Sequence, residues 1–180
     1  MCKQVVIETN RLILRRWQES DLNPFIDMNA DPTVMRYFPN PLDENGTRSL
    51  YNMIQKEFSD YDYGLYATEE KSSGHFVGFI GFHWAKLNID FCPSIEIGWR
   101  LDKRFWGKGY ATEGAKACLD YGFNHLLFDK IISFTATQNV KSQRIMQKIG
   151  MKFDRYFEHP TVPKDHPLRP HILYYIDRYE

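Results

Sequence analysis

Residues 104–114 read RFWGKGYATEG: an arginine, an aromatic pair, and two glycines one residue apart, immediately ahead of a helix-forming run. Those residue types suit the binding of an anion. Glycines at Gly107 and Gly109 let the backbone approach a ligand closely, and the free N–H groups of the following helix, with the positive end of its dipole, favour negative charge. A phosphate is the first ligand this chemistry fits. A P-loop is excluded by spacing, because it needs GxxxxGK followed by Ser or Thr, whereas Lys108 lies between the glycines and Gly109 follows it. A dinucleotide fingerprint also fits poorly: the next glycine is Gly114, too late, and Asp129 precedes a strand instead of ending one. A tight turn in which the glycines serve geometry alone stands as the plainer alternative.

Other residues that can do chemistry carry weaker patterns. His159, His166 and His171 are spaced by seven and five with four prolines among them, which fits no helical or zinc-finger ligand set, so no metal is expected. Cys2, Cys92 and Cys118 are far apart and form no CxxC pair, so neither a disulfide framework nor a zinc knuckle is indicated. Cys118 falls on an apolar helical stripe and reads as core.

The elements that must position the glycine turn follow from periodicity. Ser94 to Leu101, SIEIGWRL, alternates and is rich in β-branched and aromatic types, so it predicts a strand with Pro93 at its entrance. Ala111, Ala115, Cys118, Leu119 and Phe123 recur at helical spacing, and a helix is predicted from Tyr110 to Asn124. Lys130 to Thr137 is the next strand, and Asn139 caps a helix that stops at Gly150. Upstream, Val5 to Trp17 predicts a first strand, Ser20 caps a helix through Ala30, and a second helix runs from Thr47 to Phe58. Tyr63–Thr68 and His75–Trp84 flank the polar turn EEKSSG as a hairpin. The stretch from Met151 mixes strands with a proline- and histidine-bearing loop. This order predicts a mixed α+β domain whose middle holds a strand, helix, strand unit suited to parallel pairing.

The chain has 180 residues, within the size of one domain, so residues 1–180 are expected to form a single unit. Lys plus Arg and Asp plus Glu number 23 each, which provides no net charge to draw the chain to nucleic acid or to an anionic membrane. Aromatic residues make up 16%, enough to line a pocket as well as fill a core. The N-terminal stretch has no apolar run of signal-peptide length and no segment approaches a transmembrane span, so a reducing cytoplasm is the expected compartment.

EIGWRLDKRFWGKGYATEG resembles the acetyl-CoA-binding core of the GNAT superfamily of N-acetyltransferases, with Arg104, Gly107 and Gly109 matching its Arg/Gln-x-x-Gly-x-Gly/Ala pattern. Four ordered segments, ETNRLILRRWQESDL, DPTVMRYF, WGKGYATEG and NVKSQRIMQKIGMKF, resemble the narrower RimJ/RimL-like branch, and the resemblance covers nearly the whole chain. It implies a GNAT-like fold: a mixed, mostly antiparallel central sheet, splayed at its middle and flanked by helices in three α/β/α layers. It also implies direct acetyl transfer from acetyl-CoA, as co-substrate, to a primary amine, with no acyl-enzyme.

The implied cofactor site is the backbone of Arg104, Phe105, Trp106, Gly107, Lys108, Gly109, Tyr110, Ala111 and Thr112, with the Arg104 and Lys108 side chains as supplements. Pantetheine, a chain of amides, can bind a splayed strand edge as though it were another strand, which implicates the main chain of Trp99, Arg100 and Leu101. Gly98 is expected either to mark a bulge that opens this edge or to serve close packing. An alkylammonium must lose a proton before it attacks; Glu96 is the first candidate for the base and Glu158 the second. Asn139 and Ser142 match the family's Asn-x-x-Ser, which implies contact with the cofactor and a hydroxyl able to donate to the leaving sulfur, with Tyr174 as the alternative donor. Trp17, Tyr37, Phe38, Trp84 and Tyr174 can wall an acceptor site, with Asp31 or Asp90 available for an ammonium. The acceptor itself, a peptide N-terminus or a small-molecule amine, stays open. A non-catalytic acyl-CoA-binding sensor is the rival from another class, and a homodimer through apolar strand edges is compatible with the sequence.

Overall fold

The structure is a computed structural model and describes residues 4–178, so Cys2 lies outside the described residues. The chain runs β1 (Val5–Glu8), β2 (Leu12–Arg15), α1 (Leu22–Ala30), α2 (Glu44–Tyr61), β3 (Leu65–Glu70), β4 (Phe76–Ala85), β5 (Ser94–Leu101), α3 (Tyr110–Asn124), β6 (Lys130–Ala136), α4 (Val140–Lys148), β7 (Lys152–Glu158) and β8 (Pro170–Asp177). The strands form one eight-stranded sheet in the order β1-β2-β3-β4-β5-β6-β8-β7. Among the described residues only the central β5–β6 pair is parallel; every other pair is antiparallel. This is the mixed, mostly antiparallel α+β architecture expected from the sequence.

Helices cover both faces of the sheet. On β4, Phe79 packs against Phe25 of α1, and His83 lies beside Glu57 of α2. The alternate residues Ile80 and Phe82 face α3 so closely that a Cβ on Gly114 would stand 2.4 Å from Ile80 and one on Gly122 2.8 Å from Phe82. Period-two alternation along one strand thus supplies two apolar layers.

The first predicted strand is in fact a hairpin. Thr9 turns the chain, its amide donating to the Leu12 carbonyl at 2.9 Å while its Oγ1 accepts from Leu12 N at 2.9 Å. Residues 9–11 carry turn chemistry that the alternation on either side obscures. Ser20 does not cap α1. A single 3₁₀ turn, Glu19–Asp21, precedes the helix instead, and Asp21 accepts from Gln18 N at 2.8 Å. Helix α2 begins earlier than expected because Asp43 accepts from Gly46 N at 2.7 Å, which makes Gly46 a first-turn residue, not a breaker.

Asp21 also belongs to a buried ionic cluster. Arg15 donates to both Asp21 oxygens at 2.7 and 2.8 Å and to Glu69 at 3.0 Å, and all three residues are 3% exposed. Deleting the shared cation leaves two carboxylates buried together. Arg15→Met is therefore expected to destabilise the fold by about 3–5 kcal/mol, read by urea denaturation. A loss of well under 1 kcal/mol would show that water already reaches this cluster.

The site is created where the sheet parts. β5 keeps an unbroken antiparallel register with β4, from Gly78↔Leu101 to Ala85↔Ser94. It meets β6 at one pair only, Glu96↔Ile132, and Ser133 Oγ donates to the Ile97 carbonyl at 2.9 Å where the strands diverge. Gly98 carries no bulge, contrary to the first of its two expected roles; the register through it is regular, and the opening lies wholly on the β6 side.

Candidate active site

Between the parted strands lies a cavity of about 720 Å³, walled by β5, β6, the N-termini of α3 and α4, and the segment from Val34 to Pro39. Gly98, Trp99, Arg100 and Leu101 line it from β5 and Ser133, Phe134, Thr135 and Ala136 from β6. Past Glu96 the β5 main chain has no partner strand on this side, so its amide groups are an edge that a polyamide ligand can pair with.

One end of the cavity suits an anion. Gly107 and Gly109 adopt φ of 76° and 83°, a left-handed conformation that other residues reach at a cost. Gly109 precedes α3 without any side-chain cap, and the first intrahelical bond is Glu113 N to Gly109 O at 3.0 Å. The amides of Tyr110, Ala111 and Thr112 therefore have no helical acceptor, and all three residues line the cavity. A Cβ on Gly107 would meet nothing within 4 Å. A diphosphate fits such a cradle.

The cradle is narrower than the sequence implied. A 3₁₀ turn, Lys103–Phe105, engages the amides of Arg104, Phe105 and Trp106 locally, with acceptors on Asp102 and Lys103. The Arg104 side chain is held by Asp102 at 2.7 Å and does not line the cavity. Lys108 is turned towards Glu70 and over the Phe105 and Tyr110 rings, also outside the lining. Both supplementary cations are corrected by nearby carboxylates that claim them. Phe105 and Trp106 remain as walls.

Glu96 lies deeper along β5. It is half-buried in the cavity wall, and burial pushes its carboxyl up to about 7, with His83 opposing and Glu57 reinforcing the rise. His83 is its cross-strand partner on β4, and His83 Nδ1 stands 2.7 Å from Glu57 Oε1 without hydrogen-bond alignment. Burial alone would lower His83, yet the Glu57 carboxylate raises it overall. A carboxyl poised near neutrality suits proton transfer. Glu158, the second predicted base, is corrected: it pairs with Arg169 at 2.8 Å on the surface and lies outside the cavity lining.

Ser142 reaches the cavity from the first turn of α4. Asn139 caps that helix as expected, accepting from Ser142 N at 3.3 Å, while its amide donates to Ser142 Oγ at 3.0 Å. The serine oxygen is thus occupied as an acceptor, which leaves its O–H to donate elsewhere. Tyr174 is buried, accepts from Gln147 at 3.2 Å and does not line the cavity.

The predicted acceptor wall is reduced to Tyr37 and Phe38. Trp17 is core, donating to the Leu65 carbonyl, and Trp84 is outside the lining. Asp31 is paired with Lys103 and Asp90 with Arg155. The sequence reading missed His83, Glu57, Arg36 and Lys141, and weighed His159 and His171 only as metal ligands; the rings of that pair meet at 4.7 Å in the cavity lining. Strand register sets His83 across from Glu96 and His171 across from Phe157, while α2, α4 and the 34–39 segment carry Glu57, Lys141 and Arg36.

A family model described as an acetyltransferase (GNAT) domain matches residues 11–152. The uncharacterized protein YkkB of Bacillus subtilis (strain 168) is 35% identical over 148 residues, 82% of this chain and 85% of YkkB. The uncharacterized N-acetyltransferase YnaD of the same organism is 29% identical over 161 residues, 88% of each chain. The crystal structure of a GNAT-family acetyltransferase from Bacillus anthracis superposes with a TM-score of 0.79 at 29% identity, covering 97% of this chain and 99% of that one. Among the described residues no helix is long and apolar enough to cross a membrane.

Proposed function

Because the chain belongs to the GNAT acetyltransferase family and is an N-acetyltransferase, we propose that it transfers an acetyl group directly to a primary amine within a ternary complex. The acceptor is a protein N-terminal α-amine or a small-molecule amine. One observation carries this reading: a single cavity runs from the uncapped N-terminus of α3, along the open edge of β5, to Glu96 and Ser142.

Acetyl-CoA, when bound, supplies an activated acetyl group and a thiol leaving group. The amides of Tyr110, Ala111 and Thr112 hold its phosphates, and the main chain of Trp99 and Leu101 holds its pantetheine amides; of the three residues the sequence implicated, Arg100 turns its main chain to β4 instead. Glu96 takes the proton of the acceptor ammonium, whose ordinary pKa of about 10 keeps it charged and unreactive at neutral pH. The Trp99 amide, on the parted side of β5, meets the carbonyl oxygen as charge develops there, whereas the Arg100 amide falls on the β4 side, opposite Phe79. Ser142 donates its hydroxyl to the departing sulfur. Ser142→Ala is accordingly expected to lower kcat by about 10- to 100-fold, the worth of a hydrogen bond to a charged group, with acetyl-CoA affinity unchanged. An unchanged kcat would remove Ser142 from this role.

The same reading takes residues 1–180 as one domain of a cytoplasmic enzyme of the RimJ/RimL-like branch, supported by the four ordered segments. It has no nucleic-acid or membrane partner, and it is able to pair as a homodimer at its sheet edge. Calorimetric titration with acetyl-CoA, followed by a thiol-release screen of amines, tests the function. Acetyl-CoA binding with turnover supports it. Binding without turnover on any amine, unaltered by replacing Glu96 and Ser142, instead favours a non-catalytic acyl-CoA sensor.

A further inference from the structure

Arg100 is a cation without a counter-ion. Its Nη1 donates to Asn29 Oδ1 at 2.6 Å, and its guanidinium lies 4.3 Å from the Phe38 ring centroid and 5.3 Å from that of Phe79. Its Nε is sealed from solvent and has no hydrogen-bond partner. No carboxylate pairs with it among the described residues, and burial alone lowers it, to about 10, so it stays charged at neutral pH. An unpaired guanidinium so placed is costly unless a ligand completes it.

Its place in the fold says which ligand. Glu96, Gly98 and Arg100 alternate onto the same face of β5, opposite His83, Gly81 and Phe79 of β4. The carboxylate and the guanidinium therefore belong to one wall, with Cα atoms roughly 13 Å apart along the strand. Two other cations, Arg36 and Lys141, lie over the Trp106 ring at 5.4 and 5.3 Å, next to the α3 cradle, where cofactor phosphates need them. Arg100 is left over from that task. Among the described residues lining the cavity, Glu96 is the single carboxylate, against Arg36, Arg100, Lys141 and Lys148. Such a lining disfavours a polycationic acceptor.

We propose that Arg100 is an anion-recognition residue of the acceptor site, so that the acceptor is an amine that also carries a carboxylate or phosphate group, its ammonium turned towards Glu96. This rests on the acetyltransferase reading of the same cavity. A guanidinium with free donors recognises either oxyanion.

The test pairs acceptors that differ in the anion alone: each L-amino acid against its carboxamide, and phosphoethanolamine against ethanolamine. Thiol release is measured for the wild type, Arg100→Met and Arg100→Lys, with calorimetry of acetyl-CoA on each. In the wild type the anionic member of at least one pair is expected to be preferred by about 10- to 100-fold in kcat/KM. Arg100→Met should abolish that ratio through KM, and Arg100→Lys should restore part of it. If Arg100→Met fails to fold, the wild-type ratio and the lysine variant decide alone. Preference for the uncharged member throughout, or no turnover on any pair while acetyl-CoA binds, overturns the proposal. So does an Arg100→Met enzyme that loses acetyl-CoA affinity and keeps its acceptor preference, because the anion is then the cofactor's. Failure of the wild type to bind acetyl-CoA at all is a separate result and overturns the proposed function instead.

Discussion

Glu96→Gln is expected to lower kcat by about 10²- to 10⁴-fold, the usual contribution of a positioned general base, while acetyl-CoA binds as before. The substitution keeps the shape of the side chain and removes only its ability to take a proton. The pH profile provides the sharper readout. Burial pushes Glu96 up to about 7. Below that value it is protonated and cannot accept, so the wild-type rate should climb as pH rises through about 7, and the variant should lose this limb. Stability provides an independent check. The carboxyl is raised from 4.5 to about 7 on folding, so the native state binds the proton more tightly, and stability falls as pH rises between those values. Glu96→Gln is not subject to that loss, and its melting temperature above pH 7 should exceed the wild type's. A variant with unchanged kcat and an unchanged pH profile would mean that the amine sheds its proton by another route.

Gly107→Trp is expected to weaken acetyl-CoA binding by at least about 100-fold, because the indole would occupy the space a diphosphate needs in front of α3. The fold should survive, since a Cβ at Gly107 faces open cavity and meets no atom within 4 Å. Strain is the competing cause of any loss: a side chain at a φ of 76° costs about 1–2 kcal/mol in stability. Gly74 separates the two effects. It lies in the β3–β4 turn at a φ of 70°, also facing open space, and is not among the residues that line the cavity. Gly74→Trp should show the same small drop in melting temperature and bind acetyl-CoA normally. Equal affinity in both folded variants would exclude the cradle as the phosphate site.

The sequence by itself determined the elements nearest the cofactor turn. β5 and α3 were legible to the residue, because strand alternation, helical spacing and a left-handed glycine act within a few positions of one another. Asn139 was legible as a cap for the same reason. The β1–β2 hairpin was not, since two short runs of like alternation read as one strand unless the turn at Thr9 is recognised. Tertiary structure alone decided which charges reach the cavity. Arg104 and Glu158 matched expected roles by type and position, yet Asp102 and Arg169 hold them elsewhere. Trp17 looked like a pocket wall and is core. Glu57, His83 and Glu96 are distant in the chain and come together because the β4–β5 register sets His83 across from Glu96 while α2 packs on that face. The same register turns Arg100 onto the wall that holds Glu96. Strand pairing acts with a period of two, so one choice of partner residue decides which side chains share a face, and no short-range signal carries that choice.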